Sequence, residues 1–146
     1  MPFDLGVLCL VCALRVATYN VNYAGDHDAV LAAIADTDAD VVLLQETTPS
    51  WERALRRRFG DRYPHMSFHH WRRSAGGLAV LSRHPIDADE LIPPAASWFP
   101  AQRAVIAAPG GPVQVLHVHL RPAIDHGDWV RGFFSTPPIK IGRAHV

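Results

Sequence analysis

The sequence predicts an α/β domain, and three features carry that expectation. Leu14–Asn22 (LRVATYNVN) alternates and is rich in Val, Thr and Tyr, as a strand would be. Val41–Leu44, inside DVVLLQET, is a short branched apolar run that suits a strand buried on both faces. Between them, Ala29–Ala35 sets Val30, Ala33 and Ile34 on one helical face. Strand, short helix and strand make a βαβ unit, whose crossover leaves the two strands parallel. Beyond Gly60 the pattern changes to short strands joined by Gly- and Pro-rich turns, which implies mostly antiparallel pairing.

Each element has a local reason. Asn20, Asn22, Gly25 and Asp26 end the first strand, and Asp26 is suited to cap the helix after it. The polar cluster Asp36–Asp40 closes that helix. Thr48 is an N-cap with Pro49 at the first helical position, and Trp51, Leu55 and Phe59 recur at helical spacing. Arg53 and Arg56–Arg58 form a basic cluster on this helix, read as a solvated face because crossover helices cover the back of a sheet. Gly60–Pro64 is a turn before a strand over His65–Trp71. Gly76-Gly77 introduces the buried strand Leu78–Ser82, and His84-Pro85 stops it. Ile86–Leu91 alternates apolar with acidic residues, as an edge strand does. A loop to Pro100 holds Trp98 and Phe99. Ala101–Ala108, the turn Pro109–Pro112 and Val113–Leu120 then form a hairpin.

The totals bound the possibilities. At 146 residues, 49% of them hydrophobic and 19% charged, the chain has material for one core, as one domain or part of a larger one. A formal net charge of zero advertises neither nucleic acid nor an anionic membrane. Cys9 and Cys12 form a CxxC inside the apolar run Leu5–Leu14, with no second pair to complete a zinc site; they read as small buried hydrophobes. That run is too short to span a bilayer, and no Lys or Arg precedes it as in a secretion signal. Residues 1–13 are therefore an apolar leader or irregular N-terminus.

Three polar residues stand at the ends of apolar strands: Asn20, Glu46 and His119. Parallel strands finish at one edge of a sheet, so Asn20 and Glu46 are expected at the same rim, with Thr18, Asn20 and Asn22 sharing a face of the first strand. An amide carbonyl and a carboxylate are hard oxygen ligands suited to Mg²⁺ or Mn²⁺. A histidine nearby can donate a hydrogen bond to a phosphoryl oxygen, and the set suits metal-assisted phosphoester cleavage. A rival lies in the last strand, where His117 and His119 point to one face as a zinc-binding pair would. Polar strand ends without chemistry are the bland alternative. No GxSxG, Walker A or dinucleotide-binding glycine pattern occurs.

In this order, RVATYNVN, DVVLLQET, GGLAVLSRHPI and VQVLHVHLRP resemble the endonuclease/exonuclease/phosphatase superfamily of deoxyribonucleases, apurinic-site endonucleases, sphingomyelinases and inositol polyphosphate phosphatases. The resemblance covers about Leu14–Pro122. It implies a four-layer α-β-β-α sandwich, with Glu46 binding the catalytic Mg²⁺ (or Mn²⁺). Asn20 lies beside the metal and scissile phosphate, and His119 rather than His117 contacts the phosphate. SRxPI is a hallmark to which no catalytic role is carried. The family's later GDxN and SDH motifs do not occur, and Asp125-His126 follows the HL motif too closely to replace them.

The resemblance thus implies a truncated domain over residues 14–140 with its C-terminal portion missing, one sheet poorly covered and no turnover by this chain alone. The intact form would be a metal-dependent phosphoesterase. A non-catalytic phosphate- or partner-binding derivative is the second reading, and a zinc hydrolase using His117 and His119 the third. Nucleic acid, phospholipid and inositol phosphate are not distinguished as substrates. No protein partner is implied, and a monomer is expected. The closing IGRAHV is what ATC GGA AGA GCA CAC GTC would encode, a string within a common sequencing adapter, so residues 141–146 are expected to be a non-biological tail.

Overall fold

A computed structural model of the chain describes residues 13–72, 74–94 and 99–120. Cys9 and Cys12, Trp98, Asp125-His126 and the closing IGRAHV lie outside these. No described helix is long and apolar enough to cross a membrane.

The first sheet begins with β1 (Val16–Asn20), α1 (His27–Asp36) and β2 (Val41–Gln45). β1 and β2 pair in parallel from Val16↔Val41 to Asn20↔Gln45, so both strands finish at one rim. The Asp26 side chain caps α1 by accepting from the Asp28 N–H at 2.9 Å. Thr48 caps α2 (Pro49–Phe59) by accepting from the Trp51 N–H at 3.3 Å. β3 (His65–His69) and β4 (Leu78–Ser82) are antiparallel neighbours, and the strand order is β1-β2-β4-β3. The second sheet is the antiparallel meander β5 (Ile86–Ile92), β6 (Ala101–Ala108) and β7 (Gly111–Val118), with β5 and β7 at its edges.

Alternation along the strands sorts the core into two layers. Val42, Leu44, Ala79 and Leu81 face the helices and pack with Leu31, Ile34, Trp51, Leu55, Phe59 and Tyr63. Val41, Leu43 and Val80 face the other way and meet Ala104 and Ile106 of the second sheet. The order of layers is therefore helices, sheet, sheet. The outer face of the second sheet carries Ile92, Leu116 and Val118, all exposed, with Leu116 at 60%.

The end of the sandwich remote from the β2 exit is tied by charge. Arg83, from SRHPI, donates to Asp40 at 2.9 Å and to Asp38 at 2.6 Å, while the Arg15 guanidinium reaches Asp38 at 2.7 Å. The Arg83 guanidinium, with Arg15, holds the Asp38 carboxyl below its ordinary range. The Arg15 backbone N–H and Arg83 do the same for Asp40 against the opposing effect of burial. Arg83 thus joins the start of β2 to the end of β4, a structural duty.

Several elements differ from their expected lengths. β1 stops at Asn20, because Asn22 has left the strand with φ 53°, so Asn22 does not share a strand face with Thr18 and Asn20. β3 stops at His69, which pairs with Leu78, the first residue of its partner strand. β7 starts earlier than expected, at Gly111, whose φ of 119° few other residues adopt. It ends at Val118, which leaves His119 just past the strand.

One glycine fixes the approach of β4 to the β2 exit. A Cβ on Gly77 would lie 1.9 Å from the Thr47 carbonyl oxygen, and the Gly77 carbonyl accepts from the Thr47 N–H at 3.2 Å. Gly77→Ala must push these backbones apart and should cost about 2–3 kcal/mol. Urea unfolding of the variant measures this, and an unchanged midpoint would refute the close approach.

Candidate active site

The site forms where β1, β2 and β7 end. After the last ladder residue, Gln45, the backbone of Glu46 takes φ 62°, a left-handed conformation that turns the chain out of the sheet. For a residue other than Gly, Asn or Asp this costs on the order of 1 kcal/mol, so neighbours must hold it. They do so from both sides of the turn. Asn20 Nδ2 donates to Glu46 Oε1 at 2.8 Å, the Tyr23 N–H approaches Oε2 at 3.4 Å, and Thr47 bonds back to Gly77. The Asn20 amide is itself oriented, because its Oδ1 accepts from the Asn22 N–H at 2.9 Å. Trp51 supports the same loop from α2 by donating from Nε1 to the Asn22 carbonyl at 3.2 Å.

His119 arrives from the second sheet. Its Nε2 stands 3.6 Å from Glu46 Oε1, with the two side chains 10% and 17% exposed. Phe99 stacks on its ring at 4.3 Å between centroids and 6° between planes. Asn20, Glu46 and His119 are therefore brought together at one rim, from three strands of two sheets. Two buried polar atoms there, His119 Nδ1 and Thr47 Oγ1, have no hydrogen-bond partner among the described residues.

His117 is placed differently. It is 2% exposed between the sheets, and both ring nitrogens are engaged: Nε2 with Gln45 Nε2 at 2.6 Å and Nδ1 with Gln102 Oε1 at 3.3 Å. An amide nitrogen only donates, so Nε2 accepts and Nδ1 carries the proton. Burial, with the neighbouring His119 charge, pushes His117 down to about 4 from its ordinary 6.5. With both nitrogens committed, His117 has none to offer zinc, which argues against the His117/His119 zinc centre. No cluster of three or more metal-ligating side chains occurs among the described residues.

The residues present still suit Mg²⁺, which commonly takes one or two carboxylates and completes its shell with water and substrate oxygens. Among the described residues Glu46 Oε2 has only the long contact from Tyr23, and Asn20 Oδ1 retains a second lone pair. Gln45 and Phe99 are the contributors that sequence reasoning missed as parts of the site, and His117, expected only as a zinc ligand, enters it as a hydrogen-bond partner. His117 carried a signal, since its parity with His119 places it on the inner face. Phe99 sits in a loop without periodicity and carried none.

Two packed sheets with helices on an outer face make an α/β sandwich, with Asn20, Glu46 and His119 at one rim. The chain belongs to the endonuclease/exonuclease/phosphatase family, whose profile matches residues 17–142. Solved structures share the fold. An endonuclease/exonuclease/phosphatase from Beutenbergia cavernae DSM 12333 is 24% identical with a TM-score of 0.59, over 76% of this chain and 39% of its own. A truncated TDP2 from Caenorhabditis elegans is 14% identical with a TM-score of 0.62, over 79% of this chain and 48% of its own. TDP2 of D. rerio, complexed with a single-strand DNA product, is 18% identical with a TM-score of 0.58, over 70% and 44%. Across such structures this chain spans 34% to 54% of their length. No curated protein matches the sequence.

The state of His117 makes stability pH-dependent. In the unfolded chain it gains a proton as pH falls through 6.5, whereas in the folded protein it resists until about 4. The unfolded state therefore binds more protons in that window, and stability falls from its full value above pH 6.5 as pH drops toward 4. At about 1.4 kcal/mol per unit, the loss approaches about 3 kcal/mol. Unfolding of wild type and His117→Asn at pH 7.5 and 4.5 checks this: wild type should lose more, and equal losses would contradict it.

Proposed function

We propose that this chain carries the N-terminal part of the catalytic centre of a divalent-metal-dependent phosphoester hydrolase. The observation that carries the reading is the convergence of Glu46, Asn20 and His119 at one rim of a family sandwich. Glu46 holds the ion through its carboxylate, and Mg²⁺ or Mn²⁺ bound there supplies charge to polarise a phosphoryl group. Asn20 orients that carboxylate through its amide N–H, and its carbonyl oxygen would be the second hard ligand available to the ion. His119, clamped flat against Phe99, donates from Nε2 to a phosphoryl oxygen and stabilises charge as it develops in the transition state. Activation of the attacking water falls to residues beyond the described ones.

The substrate is a phosphodiester or phosphomonoester. The DNA-bound TDP2 of D. rerio brings a nucleic acid forward from the set of nucleic acid, phospholipid and inositol phosphate. Zero net charge gives it no general electrostatic help, so strand binding would depend on local contacts. The domain spans residues 14–140 in this reading, and the chain acts as a monomer.

Two measurements test the proposal. Mn²⁺ binding by the purified chain, followed by electron paramagnetic resonance, should weaken about tenfold or more in Glu46→Gln. Hydrolysis of bis(p-nitrophenyl) phosphate and of single-stranded DNA with Mg²⁺ should be absent for this chain. Turnover lost on Glu46→Ala would show that this chain already suffices for hydrolysis. Mn²⁺ binding indifferent to Glu46 would remove the proposed metal role.

A further inference from the structure

The layer between the sheets is not uniform. Its far end is apolar, built from Val41, Leu43, Val80, Ala104 and Ile106. Its rim end is a connected polar chain. Gln45 donates from Nε2 to Thr18 Oγ1 at 2.9 Å and to His117 Nε2. His117 donates from Nδ1 to Gln102 Oε1. Gln102 Nε2 in turn donates to Asp89 Oδ1 at 2.8 Å and Ser67 Oγ at 3.2 Å, while Asp89 Oδ2 also receives His69 Nε2 at 2.8 Å and the Ser67 hydroxyl. Each donor has an acceptor, and the order of donors admits one His117 tautomer.

We infer that His117 is a positioning residue for the reacting pair: anchored by Gln102 within its own sheet and bonded across to Gln45 of the first, it sets how far Glu46 stands from His119. The inference rests on the proposed role of Glu46 and His119. Gln45 immediately precedes Glu46, and His117 is two residues before His119, which follows the end of the same strand. Apolar packing at the far end is non-directional and tolerates a small slide of one sheet over the other. A hydrogen bond loses strength steeply with misalignment, so the Gln45–His117–Gln102 bridge fixes the slide at the end where the chemistry sits. Neither nitrogen of His117 faces substrate, which separates it from His119.

The experiment uses the whole chain and reads geometry as well as metal. In wild type, ¹⁵N and ¹³C shifts of the His117 ring should report a neutral imidazole with its proton on Nδ1. His117→Leu, which fills much the same space without hydrogen bonds, should keep its far-ultraviolet circular dichroism. It should weaken Glu46-dependent Mn²⁺ binding about tenfold and displace the His119 ring signals. His117→Asn, able to accept from Gln45 and donate to Gln102, should recover part of both losses. Gln102→Leu changes no ring and should move the His119 signals the same way by a smaller amount, so it also serves if His117→Leu does not fold. Unchanged His119 signals in the folded variants, or a wild-type His117 protonated on Nε2, would overturn the inference. Should wild type lack Glu46-dependent Mn²⁺ binding, the metal reading fails while the His119 signals still decide the positioning.

Discussion

Glu46 and His119 come from different sheets, so their 3.6 Å separation depends on how one sheet seats on the other. Each sheet is rigid internally through its own ladder. Between them stands a side-chain layer that is apolar at one end and hydrogen-bonded at the other. Burying Gln45, Gln102 and His117 would be costly if any were left unpaired, which makes this end intolerant of alternative seatings. The rim therefore inherits a defined geometry from a layer that touches no substrate.

The opposite end of the sandwich solves a different problem. There, exposed and half-exposed ion pairs link Arg15, Arg62 and Arg83 to Asp38 and Asp40. Pairs this open to solvent contribute modestly one by one. Their value lies in joining four segments, the approach to β1, the α1–β2 loop, the α2–β3 turn and the end of β4, so that β1 and β2 start in register and finish together. The SRHPI hallmark thus acts at a distance from the site, through strand alignment.

The described residues leave the outer face of the second sheet with Ile92, Leu116 and Val118 in contact with solvent, whereas the first sheet is backed by α1 and α2. An apolar sheet face of this kind is an association surface in isolation.

Much was legible from the sequence because it is local or periodic. Asp26 and Thr48 announce their caps. Val41–Leu44 announces a strand buried on both faces, and the βαβ rule brings Asn20 beside Glu46, now a hydrogen bond of 2.8 Å. The motif order pointed to the family that the profile match establishes. The tertiary structure alone decided what depends on residues far apart in the chain. Strand parity put His117 and His119 on one face, but only the facing glutamines made one a buried hydrogen-bond bridge and left the other at the rim. The Phe99 stack and the left-handed turn at Glu46 were likewise invisible, since neither follows from periodicity and each exists only because a distant segment holds it.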